Sequence, residues 1–371
     1  MVFDNRHRVI KVFAHVAFGF GADNWNERYN KGQMIGINEP FAYGYHRANK
    51  LGCTVIYSND KEESRLEKTF RLGLRYLLKF DFIHAWRNRK GIYAADVVWT
   101  HTESQHLAIL LLFVLTQPRR KPKLIAQSVW LFDRWYRFPW INRWIFTKLL
   151  SQADVLTFLS PDNLRVARAL FPHARAELVL FGCKAEDFVA PRIRPLSHPV
   201  RVISLGNDEH RDWETLIEAF QDLKGYELRI ASQKINQKLL IGTGNISITK
   251  LNSNSELFQL YEWADMLVLA LKPNLHSSGI TVLQEAALLG IPIICSDVGG
   301  LRAYFSETEI KYVRPRDVLA IKGAVREVTT DVEGRQILAK RAQARMGKGG
   351  LSSQAYVETH VRLSKELLIK A

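Results

Sequence analysis

The stretch NLHSSGITVLQEAALLGIPIICSDVGG, residues 274–300, decides how this chain is read. Small polar residues and a glycine lead into an apolar helical pattern that carries one acid, Glu285. Gly290, Ile291 and Pro292 then end the helix and open an apolar strand that closes on Gly299 and Gly300. A helix start leaves about four backbone N–H groups without intrahelical partners and carries partial positive charge, so it attracts phosphate. Ser277, Ser278 and Gly279 lead into this start, Ile280 and Thr281 begin it, and Gly279 lets a diphosphate approach the backbone. Glu285 follows on the same helix, where its carboxylate can accept two hydrogen bonds from vicinal hydroxyls such as those of a ribose. The pattern reads as a cradle for a nucleoside diphosphate. The plain alternative is an ordinary αβ unit with a surface glutamate.

Working outward, strand-like runs alternate with helical patterns along the whole chain, the signature of an α/β protein with parallel sheets. The first half offers strands at 9–18, 53–58, 96–101, 123–129, 154–160 and 177–181. The second half offers 201–206, 227–232, 246–251, 265–270 and 291–297. Residues 186–200, EDFVAPRIRPLSHPV, hold three prolines and no periodicity, and read as the linker between two Rossmann-like domains. The 371 residues suit two domains, and 47% apolar against 24% charged residues excludes a disordered chain. Three scattered cysteines, Cys53, Cys183 and Cys295, form no CxxC pair or zinc-spaced cluster and are expected as free thiols in a reducing compartment. The start of the chain has no signal-peptide pattern, and the run LAILLLFVL (107–115) is too short to span a bilayer.

The 274–300 stretch resembles the signature of GT-B glycosyltransferases of the family 4 type (group 1 glycosyl transferases). In that family a Glu-x7-Glu motif precedes a Gly-x-Pro strand and a Gly-Gly turn. The second glutamate falls on Glu285, with Gly290, Pro292, Gly299 and Gly300 in register; the first falls on Ser277. RVISLGNDEHRDWETLIEAFQDL (201–223) is similar to the strand that opens the family's second domain. It puts Arg211 where a lysine grips the donor diphosphate and Asn207 where an arginine is usual. His210 and Lys272 are candidates for that missing cation. LVLFGCKAEDF (178–188) and SNSELFQLYEWADMLVLA (253–270) match flanking segments. The resemblance implies two Rossmann-like domains facing each other across a cleft: an acceptor domain (1–185), a nucleotide-sugar domain (186–350) and a C-terminal helix (351–371) crossing back to the first. It implies a nucleotide-sugar donor, with UDP as the expected nucleotide, and transfer with retention of anomeric configuration. No cofactor beyond the donor is expected, and without an Asp-x-Asp motif no metal is expected. The alternatives are an inverting transferase with Asp133 or Glu103 as base, or a nucleotide-sugar epimerase.

Candidates from the first half lie after strand ends, where open α/β sheets bind ligands. His101 and Glu103 follow one strand, and Asp133 lies beyond another. Residues 19–52, rich in glycine and aromatics, read as a loop over donor or acceptor; Gly19 and Gly21 make only a weak dinucleotide fingerprint, with Asn24 in place of the third glycine. The net charge of +15 is uneven: residues 1–190 hold 28 Lys and Arg against 17 Asp and Glu, and the rest hold 24 against 20. Segment 61–90 sets Leu66, Phe70, Leu74, Leu77 and Leu78 at helical spacing beside Arg65, Lys68, Arg71, Arg75 and Lys79. Segment 134–148 interleaves six aromatics with Arg134, Arg137, Arg143 and Lys148. Basic amphipathic helices with Trp and Tyr suit an anionic lipid surface, although core-packing helices would show the same spacing. The expected place is the cytoplasmic face of the cell membrane, peripherally bound, acting on a lipid-linked or glycolipid acceptor. No RNA-binding motif accompanies the basic segments, so a nucleic-acid partner is not expected.

Overall fold

The computed structural model describes residues 8–186, 195–240, 242–348 and 350–369, and the chain divides into two compact units. The first comprises Met1–Lys31, Glu39–Leu180 and Gln354–Ala371; the second comprises Gly32–Asn38 and Phe181–Ser353. Each is built on one parallel six-stranded sheet.

The first sheet holds β1 (Ile10–His15), β2 (Cys53–Tyr57), β3 (Val97–Thr100), β4 (Lys123–Ser128), β5 (Val155–Phe158) and β6 (Ala176–Leu178), in the order β2-β1-β3-β4-β5-β6. The second holds β7 (Val200–Leu205), β8 (Tyr226–Ala231), β9 (Ile246–Thr249), β10 (Met266–Leu269), β11 (Ile293–Ser296) and β12 (Lys311–Val313), in the order β12-β11-β10-β7-β8-β9. β3, β5, β10 and β11 are buried throughout, which is why they read as unbroken apolar runs rather than alternating ones. Helices cover the sheets: Leu216, Phe220, Val325 and Val328 pack with Val202, Met266 and Ile294 in one core of the second unit. In both sheets the order reverses beside the first strand, between β1 and β3 and between β7 and β10. Ligands of open α/β sheets bind outside the carboxyl ends of the strands at such points.

All eleven strands read from the sequence are present. The twelfth, β12, has three residues and two polar side chains, too short for any hydrophobic period to show. Residues 187–194, in the stretch read as a linker, lie outside the described residues. The C-terminal helix Ser353–Ile369 is held in the first unit, where Trp99 donates its indole N–H to Ser364 Oγ at 2.9 Å and the Tyr45 and Tyr356 hydroxyls meet at 3.1 Å. Residues 19–52, expected as a loop, hold an α-helix at Ala22–Asn30 and a 3-10 helix at Ala42–Leu51. Between these, Gly32–Asn38 belongs to the second unit, an assignment no local pattern in the sequence carries.

Candidate functional site

A cavity of about 370 Å³ lies at the reversal point of the second sheet. Gly206, Asp208 and Arg211 reach it from the loop after β7, and Gly279, Thr281 and Glu285 from the helix Ile280–Leu288. No side chain caps that helix at Gly279, whose φ is 87°. Arg211 is buried and lies along the start of the helix: Nε donates to Leu205 O and Nη1 to Ser278 Oγ, both at 2.8 Å. Gly206 makes room for it, since its φ is +130° and a Cβ there would stand 2.4 Å from Arg211 Nε. Burial lowers the Arg211 pKa, partly countered by Asp208, but a guanidinium stays charged under all working conditions.

Glu285 is buried at the opposite wall. Its Oε1 accepts the Ile37 N–H at 2.9 Å and its Oε2 accepts the Tyr261 hydroxyl at 2.8 Å. Burial raises its pKa against those two donors. Gly36, at φ +115°, lets the 32–38 segment close on this carboxylate, because a Cβ there would meet Oε1 at 2.7 Å. Asn254 fixes the same segment by accepting the Gly36 N–H at 2.8 Å. Two carboxylate oxygens offer about four lone-pair sites, so acceptor capacity toward the cavity remains.

The other residues named from the sequence fall around this cavity rather than in it. The Ser277 hydroxyl donates to Gly299 O at 2.7 Å, and Ser278 serves Arg211. Ile280 is buried. Lys272 meets His210 through the backbone, its N–H donating to His210 O at 2.8 Å. The His210 ring turns to Asp208, Nδ1 to Oδ1 at 3.1 Å, and the carboxylate's other oxygen meets Nε2 of His276 at 3.1 Å. Burial would raise the Asp208 pKa, but the two imidazoles and the His210 N–H outweigh it and hold the carboxyl well below its usual range. Asp208, His210 and His276 present three ligand atoms within 4.8 Å of one another, a grouping able to hold a metal ion. The sequence reading missed it because His276 lies far along the chain from Asp208; the only local signal was Asp208-x-His210.

A second cavity, of about 400 Å³, occupies the reversal point of the first sheet. His15 from the end of β1 lines it, with His84, Glu103, Trp130 and the cations Arg75 and Lys79. Glu103 opens the helix Glu103–Thr116 and accepts the N–H groups of Val129 and Trp130 at 3.2 and 3.3 Å. Burial raises its pKa against those bonds. His101 and Asp133 are not among the residues lining this cavity. The His101 ring stacks on Tyr43 with centroids 3.4 Å apart, its Nδ1 faces the Gln127 amide nitrogen at 2.9 Å, and burial pulls its pKa down to about 3. Sequence reasoning missed His15, which stacks on His84 with centroids 4.8 Å apart and whose pKa burial lowers. Its place, the last residue of the first strand, was the available clue.

Residues 199–331 match the family described as "Glycosyl transferases group 1". The chain is 27% identical over 213 residues to glycogen synthase of Mycobacterium tuberculosis (strain H37Rv), covering 53% of this chain and 51% of that protein. It thus spans about half the length of the curated relatives it matches. Among solved structures, sucrose-phosphate synthase from Thermosynechococcus elongatus is similar at 15% identity with a TM-score of 0.74, over 97% of this chain and 100% of that one. HepE of Anabaena in complex with UDP-glucose is similar at 10% identity with a TM-score of 0.66, over 98% and 100%. The chain therefore has the GT-B fold, and over residues 199–331 its second unit is similar to the group 1 glycosyl transferases.

Proposed function

We propose that the chain transfers a glycosyl group from a nucleoside-diphosphate sugar, with UDP as the nucleotide, to a lipid-linked or glycolipid acceptor at an anionic membrane surface. Its products would belong to cell-envelope glycan or glycolipid synthesis, at the cytoplasmic face. One observation carries the donor half of this reading. The buried Arg211 lies along an uncapped helix start, in the same cavity as the carboxylate of Glu285. A diphosphate leaving group gathers charge in the transition state, and a desolvated guanidinium with oriented backbone N–H groups stabilises that charge far better than water. Glu285 then takes the ribose hydroxyls. HepE, which shares the fold, was captured with UDP-glucose.

The acceptor half rests on the surface of the first unit. Helix Arg65–Leu78 turns Leu66, Phe70 and Leu77 outward, and helix Trp140–Leu150 does the same with Trp140, Ile141 and Trp144. The two helices adjoin, with Asn142 reaching Leu77 O at 3.5 Å. Arg75 and Lys79 line the first-unit cavity from the same helical stretch, so an acceptor with an apolar tail and an anionic head matches both features. No helix among the described residues is long and apolar enough to cross a membrane.

Retention is the expected stereochemistry, with the donor phosphate guiding the acceptor hydroxyl to the face it leaves. Glu103, an acid of raised pKa in the acceptor cavity, is the observation that favours the inverting alternative. The anomeric configuration of the product, read by proton NMR, separates the two. The donor reading is tested by thermal shift with UDP, GDP, ADP and CMP on wild type and Glu285→Ala. A nucleotide at a hundred times its Kd adds about 2.7 kcal/mol, several degrees in midpoint. A shift with UDP that the variant loses supports the reading. No shift with any nucleotide at millimolar concentration would overturn it.

A further inference from the structure

We propose that Asp208, His210 and His276 form a binding site for a divalent transition-metal ion, of the zinc or manganese class, beside the second-unit cavity that Asp208 lines. The first observation is geometric. His210 Nδ1 and His276 Nε2 each stand 3.1 Å from one oxygen of the Asp208 carboxylate, and the three ligand atoms lie within 4.8 Å of one another. Ligands at 2.0–2.2 Å from a shared ion are separated by roughly 3 Å, so small rotations of the side chains suffice for them to chelate. Two imidazoles and one carboxylate select zinc, manganese, iron or cobalt over magnesium and calcium, which prefer all-oxygen shells.

The second observation is that the site is built and braced. His210 lies in the loop after β7 and His276 in the loop after β10, the two strands that flank the reversal point. Lys272 N–H donates to His210 O at 2.8 Å and Arg211 N–H to Asp208 O at 3.2 Å. Around His276, the Ser278 N–H is held by Asn274 Oδ1 at 3.0 Å and the Ser277 hydroxyl by Gly299 O at 2.7 Å. The His276 side chain is 3% exposed, so its loop delivers it already desolvated.

The third observation is electrostatic. Asp208 lines the cavity beside Arg211, where the proposed function places a diphosphate. A carboxylate facing a diphosphate is repelled unless a cation stands between them. A metal on Asp208, His210 and His276 removes that conflict, and its open coordination position can take a diphosphate oxygen. Arg211 opposes loading by repulsion when the cavity holds no anion, so metal and nucleotide should each tighten the other by the same factor. This departs from the metal-independent expectation drawn from the lack of an Asp-x-Asp motif, because the fold, not the local sequence, assembles the ligands. Ligation of the metal stands by itself; only its bridging role rests on the reading of the cavity as a nucleoside-diphosphate site.

The test uses the full chain, treated with chelator and dialysed. Cobalt(II) is titrated with visible absorption as readout, zinc by calorimetry, each with and without UDP. The expected result is one equivalent of metal with cobalt ligand-field bands. At least tenfold weaker binding is expected in both Asp208→Asn and His276→Gln, and at least tenfold tighter binding with UDP present. Metal-free thermal midpoints of the variants check that they fold; His210→Gln is the reserve variant. Absence of stoichiometric binding in wild type, or binding unchanged in all three variants, overturns the site. UDP binding to chelated protein with no metal uptake sinks the metal inference and spares the proposed function. Metal uptake without any UDP binding supports the site and sinks the nucleotide reading.

Discussion

A cation stripped of water acts on an anion through a lower dielectric than one on the surface, and Arg211 is such a cation. Its planar fork spans Leu205 O and Ser278 Oγ at once, which a single ammonium cannot reproduce. Arg211→Lys should therefore weaken UDP binding at least tenfold, about 1.4 kcal/mol, in a calorimetric titration. An affinity equal to wild type would mean that the fork is structural only. Glu103 yields a second prediction at this scale, through pH. Burial raises its native pKa, so above the ordinary value of about 4.3 the unfolded chain releases a proton that the folded one still holds. The stability associated with this group is complete below that value and declines as pH rises through the native pKa. Glu103→Gln keeps an oxygen for the Val129 and Trp130 N–H groups and does not titrate. Relative to this variant, wild type should be most stable in acid and lose ground toward neutral pH in urea denaturation. A difference independent of pH would show that Glu103 titrates normally.

At the scale of the element, helix Arg65–Leu78 shows what periodicity says and what it leaves out. Ser64 and Glu67 form a reciprocal capping box, so the start of the helix was written in the sequence, and Ser64→Ala should cost about 1 kcal/mol. The spacing of Leu66, Phe70 and Leu77 also marks one face, but not the medium it meets. Leu66 is 84% exposed and Phe70 65%, while Arg71 is buried between Glu63 and Asp81. An apolar stripe and a basic stripe are equally periodic, and only tertiary contacts decide which turns inward. Replacing Arg71 by Met would strip Asp81 of its ion pair and leave Glu63 with Arg87 alone, and should cost about 3–5 kcal/mol. Leu77→Ser, on the outward face, should stay within about 0.5 kcal/mol. Urea midpoints of the two variants check this contrast; similar losses from both would place Leu77 in a core. The strands were more legible than the helices because parallel strands buried on both faces are short apolar runs wherever they occur. β12 escaped for want of length.

At the scale of the whole molecule, what the sequence could not show is what the chain brings together from afar. Ile37 reaches Glu285 across 248 positions and Asp208 reaches His276 across 68, so neither pairing has a local trace. The helix start at Gly279 and the acid on that helix could be read from a short-range pattern, whereas Arg211 was marked out by the resemblance of residues 201–223 to a family segment. Charge distribution is the other whole-chain property that the sequence does hold, and it supports the last prediction. Residues 1–190 carry 28 basic against 17 acidic groups, and the outward Leu77, Trp140 and Trp144 belong to that half. Each Lys or Arg near an anionic bilayer contributes about 1 kcal/mol, and a large apolar side chain fully taken from water about 1.5–3 kcal/mol. The protein should co-sediment with vesicles containing phosphatidylserine and not with purely zwitterionic ones. Because the Debye length shrinks from about 10 Å at 0.1 M salt to about 3 Å at 1 M, the charge-dependent part should fade as salt rises. The combined change Leu77→Ser, Trp140→Ser and Trp144→Ser should lower vesicle affinity at least tenfold with little change in urea midpoint, since all three side chains face outward. Retention of vesicle binding in that variant would locate the contact elsewhere on the basic half. Binding to RNA in place of vesicles, lost with salt in the same way, would show that the charge serves a different polyanion.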